Sequence, residues 1–337
     1  MKRSRGMNRS AWLWMAAGLA AGAVLWPTGI FAAEKITFRL DWIPGPEHSP
    51  LYRAVDQGYF KAQGIDVEVI KGEGSNVSVK LVGNKTNPFG FCSSDVTLIG
   101  RTKGLKVKAV SQIYQRSPAG IMSSEQNPVK KPGDLKGKKI GVDPKSTAMQ
   151  QLIATLRLNK FDRSGYEEIP VGKALMQALV GKRVNAAVSY NYIQPVLLRA
   201  KGYKIHNVTF ADWGLRIYSM GIITHDDTLA RNPKLVRGVV RAVLKGYYDA
   251  KKDPARVLQH TLKRKPKAEA SYVAYAKNSF PKVLELIDSP DTDKHELGWS
   301  TRGGWEAMQS TLLSLGLIKK KIDVGEVFTN KFLPGKM

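Results

Sequence analysis

Between Ile36 and Thr224 short apolar runs alternate with segments of helical apolar spacing, and this alternation constrains the fold most strongly. Ile36-Thr-Phe-Arg-Leu40 alternates with period two, and Pro44–Pro46 break the run. The spacing then predicts a helix from about His48 to Ala62, with Leu51, Val55 and Tyr59 on one side and Gly64 as its stop. Strands follow at Ile65–Ile70, Phe89–Cys92 and Val107–Tyr114, with helices from near Ser75 and over 94–103. A second series begins after Pro132, with strands at Lys138–Val142, Tyr166–Pro170 and Ala186–Tyr190. Its helices are Thr147–Leu158, Lys173–Val180 and Ile193–Ala200, and Ile217–Thr224 is again strand-like. Such alternation gives an α/β fold of mostly parallel sheets flanked by helices.

Beyond Asp227 the chain is mainly helical, over 228–251, 253–262, 267–287 and 301–315, without a sheet of its own. That tail must pack on one of two sheets built earlier. A two-lobe chain that crosses near 119–124 and returns near 219–224 accounts for the order. The expected division is 1–32 as a leader, 33–120 with 223–337 as a discontinuous lobe I, and 121–222 as lobe II.

The leader is legible in its charges. Lys2, Arg3, Arg5 and Arg9 precede a stretch from Ala11 to Ala33 without charge, broken at Pro27 and Gly29 and ending in small residues. This is the pattern of a cleaved secretory signal, with cutting after Ala32 or Ala33. An uncleaved anchor is the alternative, because the uncharged run is long enough to span a bilayer. No cysteine stands directly after it, so a lipoprotein is not expected. The protein is expected in the periplasm.

Composition excludes several classes. With Cys92 as the single cysteine, neither an intramolecular disulfide nor a cysteine-based zinc site can form. The net charge of +25 falls to +21 once the four basic residues of the leader are removed. The remaining charge is dispersed, with short clusters at Lys136–Lys139, Lys263–Lys267 and Lys319–Lys321. No zinc-finger spacing, RNA-binding aromatic motif or basic heptad accompanies them, so nucleic acid is not an expected partner.

The stretch Asp41-Trp-Ile-Pro-Gly-Pro-Glu-His-Ser-Pro-Leu-Tyr52, with Gly58-Tyr-Phe-Lys-Ala-Gln-Gly64-Ile-Asp-Val, resembles the type II periplasmic substrate-binding proteins of ABC importers. Within them it resembles the branch that binds thiamine-pyrimidine precursors, related to nitrate, sulfonate and taurine binders. Pro132-Gly-Asp-Leu-Lys-Gly-Lys-Lys-Ile-Gly141, Asn232-Pro-Lys-Leu-Val-Arg, Asp253-Pro and Thr329-Asn-Lys-Phe-Leu333 extend the resemblance from about residue 35 to the end. It implies a monomer whose lobes close on a small molecule and dock on a membrane permease with its ATPase.

Strand C-terminal ends and helix N-termini meet the ligand in such clefts. Asp41, Trp42 and His48 follow the first strand, Trp42 offering a face for stacking and His48 a hydrogen bond. His48 as a helix cap and Trp42 as core are the competing readings. Ser75 and Asn76, after Gly74, and Ser146 and Thr147 each open a helix after a strand, where free N–H groups make anion or carbonyl sites; ordinary capping accounts for them equally. In the resembling family these two turns face each other. Asn191, Tyr192, Gln115, Cys92 and Ser93 complete the candidates, Cys92 being also readable as a small buried residue. The departure Asn87-Pro88-Phe89-Gly90 from the family's acidic strand start alters the expected pocket floor.

The resemblance extends to a eukaryotic enzyme that makes the thiamine pyrimidine from pyridoxal phosphate and its own histidine. Its lysine position is Cys92 here and its histidine position Val96, so neither Schiff base nor donor is available. Its cysteine-rich run falls near Tyr218–Ile222, which holds no cysteine. No Gly-x-Ser-x-Gly elbow, Walker loop or His-Glu-x-x-His helix is present, and the five histidines are scattered. A binding protein without catalytic residues, cofactor or metal is expected. Two ligand classes stay open: a flat heteroaromatic, favoured by Asp41, Trp42 and His48, or a small anion such as a sulfonate, nitrate or carboxylate. A periplasmic sensor subunit is the non-transport alternative.

Overall fold

In the computed structural model, which describes Met1, residues 33–144 and residues 146–336, the first α/β series is built as the alternation predicts. The expected leader, apart from Met1, lies outside the described residues. The series comprises β1 (Glu34–Arg39), α1 (Ser49–Asp56), β2 (Ile65–Ile70), α2 (Ser75–Gly83), β3 (Phe89–Ser93), α3 (Ser94–Thr102) and β4 (Val107–Gln112). The second comprises β5 (Ala119–Ser124), β6 (Lys139–Val142), α4 (Thr147–Leu158), β7 (Glu167–Pro170), α5 (Leu175–Val180), β8 (Ala186–Tyr190), α6 (Gln194–Ala200) and β9 (Ile205–Thr209). After β10 (Met220–His225) the tail forms α7 (Asp226–Arg231), α8 (Pro233–Lys252), α9 (Pro254–Leu262), α10 (Ala270–Leu284), α11 (Pro290–Lys294) and α12 (Arg302–Ser314).

The strands form two five-stranded sheets, ordered β2-β1-β3-β10-β4 and β7-β6-β8-β5-β9. Each is mixed. In the first, β1 pairs in parallel with β2 and β3, while β10 runs antiparallel to both β3 and β4. In the second, β6 is parallel to β7 and β8, and β5 is antiparallel to β8 and β9. The reversed strand of each sheet is the one a crossover delivers.

Local chemistry explains where the elements depart from the sequence reading. The expected helix over His48–Ala62 stops at Asp56, because Gly58 turns left-handed at φ +69° and the chain re-enters through a 3₁₀ turn at Lys61–Gln63. The expected helix over 228–251 is two helices. Asn232 caps the second by accepting from Leu235 N–H, and Pro233 takes its first position, where a missing N–H costs nothing. Strands β5 and β9 lie outside the predicted set. The first five residues of β5 are all buried and so lack alternation, whereas β9 is a half-buried polar edge strand defined by its pairing with β5.

Two large apolar clusters fill the interior, beside a smaller third one around Met122, Leu179 and Ala187 of the second series. One gathers Phe38, Leu51, Phe91, Val239, Val243, Tyr247 and Phe280 from β1, α1, β3, α8 and α10. The other draws Val107 and Ile223 from the first sheet, Ile121, Ile140 and Val188 from the second, and Trp305 from α12. Helix α12 touches both α3 and α4, so the tail packs against helices of both series. Among the described residues, no helix is long and apolar enough to cross a membrane.

Candidate functional site

The C-terminal end of β1 is clamped by the loop after β2. Gly72 N–H donates to Trp42 O at 2.9 Å and Gly74 N–H to Asp41 O at 2.8 Å, so the two loops zip together beyond the end of the strand ladder. Only glycine fits at position 72, since a Cβ there would lie 2.2 Å from Leu40 O and 2.5 Å from Trp42 N. The Trp42 ring lies beside Gly74, its Cζ3 3.9 Å from where a Cβ would stand, and Trp42 stays 43% exposed. Gly72→Ala is therefore expected to cost about 1–3 kcal/mol by overpacking and to weaken ligand binding by displacing Asp41 and Trp42. A urea titration and a binding titration of the same variant check this; unchanged values in both would show that the clamp yields freely.

Behind the rim, His48 is fully buried and stacks on Phe91 with centroids 6.2 Å apart. Its Nδ1 accepts from Gly45 N–H at 3.2 Å, which in the neutral ring leaves the proton on Nε2, and Nε2 donates to Asp41 Oδ1 at 2.9 Å. Burial opposes the imidazolium, but the charges of Glu47 and Asp41 outweigh it and hold the imidazole above its ordinary pKa. His48 thus positions Asp41 rather than capping α1 with its side chain. Glu47 is 6% exposed, and its Oε2 has no hydrogen-bond partner. Burial raises its carboxyl above the usual range.

Ser75 and Ser93 come together, Ser93 N–H donating to Ser75 Oγ at 3.0 Å, and Ser93 Oγ donates to Asp95. Asn76 is exposed on the first turn of α2. Cys92 is fully buried in the core, its thiol facing the Ser75 and Ser93 carbonyls, and burial pushes it up to about 12. Gln115 is spent on structure: its amide donates to Gln112 O and Trp299 O and accepts from Ser289 Oγ.

On the second sheet Ser146 is a cap, accepting from Met149 N–H and donating to Asp143 O. Thr147 Oγ1 and Tyr190 OH lie 2.9 Å apart. Asn191 Oδ1 is buried without a partner, and Tyr192 is 8% exposed. The halves are tied by Ser117 Oγ donating to Gln151 Oε1, Gln151 Nε2 donating to Asp95 Oδ2 at 3.4 Å, and Ser279 Oγ donating to Tyr192 O.

These groups converge. Burial raises the phenols of Tyr114, Tyr190, Tyr192 and Tyr247, and the charge of Asp41 reaches all four, joined by Glu47 at Tyr114, Tyr192 and Tyr247 and by Asp95 at Tyr190. Tyr114 OH and Tyr247 OH are buried without partners, like Glu47 Oε2 and Asn191 Oδ1. The structure thus brings Asp41, His48 and Tyr192 together with Glu47, Asp95, Tyr114, Tyr190 and Tyr247, which the sequence reading missed. Tyr114 and Tyr190 end predicted strands, a placement that could have flagged them. A surface groove of about 470 Å³ lies at Arg302–Val324, and another of about 500 Å³ is lined by Pro44 of the rim turn with Tyr52, Arg264 and Lys265; none of the orphaned atoms named above belongs to their walls. Among the described residues no cluster of His, Cys, Asp or Glu is placed to hold a metal.

Similar proteins give this geometry a context. A riboflavin-binding protein, RibY, of Chloroflexus aurantiacus is 27% identical over 305 residues, covering 90% of this chain and 87% of its own length. A formylaminopyrimidine-binding protein of Halalkalibacterium halodurans is 23% identical, covering 89% and 91%. A Legionella pneumophila protein named 4-amino-5-hydroxymethyl-2-methylpyrimidine phosphate synthase is 21% identical, covering 89% and 93%, so the enzyme name is not confined to eukaryotes. In fold, the periplasmic aliphatic sulphonate binding protein SsuA of Escherichia coli superposes with a TM-score of 0.69 at 13% identity, over 90% of this chain and 95% of that one. With residues 45–257 matching the family's profile, the chain belongs to the NMT1/THI5 like family.

Proposed function

We propose that this chain is the periplasmic solute-binding component of an ABC importer, and that it holds a small, neutral or cationic heteroaromatic between its two sheets for delivery to a permease. One observation carries the reading: buried polar atoms without partners, on Glu47, Tyr114 and Tyr247, gather around Asp41, whose charge also reaches Tyr190 and Tyr192 of the second series. Buried polar groups are normally paired, so orphans from several elements around one point mark the place a solute completes.

The charge of the site favours a ring over an anion. Asp41 acts on all four of its tyrosines, joined by Glu47 and Asp95, whose carboxyls burial raises, and Lys265 acts on Glu47 more weakly than Asp41 does. The protein's net charge of +25 is therefore no guide to its ligand. The heteroaromatics in the names of the two binding-protein relatives agree with this reading. A binder is favoured over a synthase because the position of the enzyme's lysine holds Cys92, whose buried thiol stays protonated.

A thermal-shift panel of aminopyrimidines, flavins, sulfonates and carboxylates tests the proposal. A ring compound at one hundred times its dissociation constant should add about 2.7 kcal/mol of stability. Stabilisation by sulfonates or carboxylates alone would overturn it.

A further inference from the structure

We propose that Glu47 is a specificity-determining residue, whose carboxylate accepts hydrogen bonds from an amino or ring N–H edge of the bound solute. The inference rests on the ring-binding reading above and names the chemistry that the inner end of the site selects.

Glu47 lies in the 3₁₀ turn Pro46–His48, and its side chain curls over Gly45. A Cβ on residue 45 would stand 2.3 Å from Oε2, so the carboxylate owes its position to that glycine. Oε1 is 3.7 Å from His48 Nδ1, too far for a hydrogen bond, and that nitrogen already accepts the Gly45 N–H. The charge of Glu47 reaches several phenols, among them those of Tyr114, Tyr247 and Tyr272. None of these three donates to it, and all three hydroxyls are themselves buried without partners. Buried donors and a buried acceptor left unpaired in this way mark a place that a further polar group completes. Burial raises the Glu47 carboxyl, and an N–H edge that donates to it favours the ionised form, which only accepts. A donor-bearing edge satisfies it, whereas an anion meets Glu47 and Asp41 as repulsion.

The test compares 2,4-diaminopyrimidine with 2,4-dimethylpyrimidine by calorimetric titration, on the full mature chain and on Glu47→Gln. In the unaltered protein the diamino compound should bind roughly 10- to 100-fold more tightly, the range expected of hydrogen bonds to a charged group. Glu47→Gln should collapse that ratio to within about threefold of unity while the apo melting temperature holds or rises, because an unpartnered buried carboxyl is removed. A purely structural Glu47 would lower the melting temperature and leave the ratio intact. An intact ratio in the variant overturns the inference and leaves ring binding standing. If neither pyrimidine binds the unaltered protein, while a sulfonate or carboxylate does, ring binding falls and the inference with it. Should Glu47→Gln melt too low to titrate, Glu47→Asp, which withdraws the charge by one methylene, takes its place: a collapsed ratio supports the inference and an intact one overturns it.

Discussion

Replacing Trp42 by alanine is expected to lower the affinity for a heteroaromatic solute by about 2–4 kcal/mol, the range of a tryptophan that anchors a ligand. This corresponds to roughly thirty- to nearly a thousand-fold in Kd. The side chain is 43% exposed beside Gly74, and with the neighbouring exposed Ile43 it offers an apolar surface for a ring to cover. Because it is half in solvent, its removal should leave the apo protein's urea midpoint nearly unchanged. Calorimetric titration of the variant checks the affinity and a denaturation curve checks the fold. An unchanged Kd would remove Trp42 from the site and shift the reading toward the inner groups around Asp41 and Glu47.

The largest effect on stability is expected at Trp305, far from the rim. It is fully buried on α12, stacked on Phe328 with centroids 5.4 Å apart, tilted against Tyr218, and its Nε1 donates to Ser300 Oγ at 2.9 Å. Trp305→Ala should cost about 3–5 kcal/mol, transfer energy and cavity together. The Ser300 hydroxyl also loses its buried partner, which adds to the loss. Since α12 touches both α3 and α4, the variant should also weaken binding by loosening the packing between the sheets. Urea unfolding reads the first effect and ligand titration the second. A midpoint change equivalent to less than about 1 kcal/mol would show that α12 lies outside the cooperative core.

Much of the fold was legible because alternation of apolar periodicity is a local signal. Strand β2, helix α4 and strand β8 fall on the residues whose spacing predicts them. The signal fails where context replaces pattern: β5 carries no alternation because its residues are buried on both faces, and β9 is made a strand by its neighbour. The single helix read over 228–251 fails because Asn232 and Pro233 restart the helix that periodicity alone carries through.

The site divides in the same way. Asp41, Trp42 and His48 stand in a contiguous motif and lie where strand ends place them, whereas Cys92, Gln115 and Ser146 are occupied by packing, loop ties and a helix cap. What the chain alone determined is the α/β alternation, the two-part order and the rim turn, since these depend on residues adjacent in sequence. What only tertiary structure decided is the character of the site. Glu47, Asp95, Tyr114, Tyr190 and Tyr247 come from five separate segments, and only packing reveals which of their polar atoms lose water without gaining a partner. Charge summed along a sequence averages over a surface, while a ligand responds to the few carboxylates beside it, so a chain of net charge +25 can hold an acidic site.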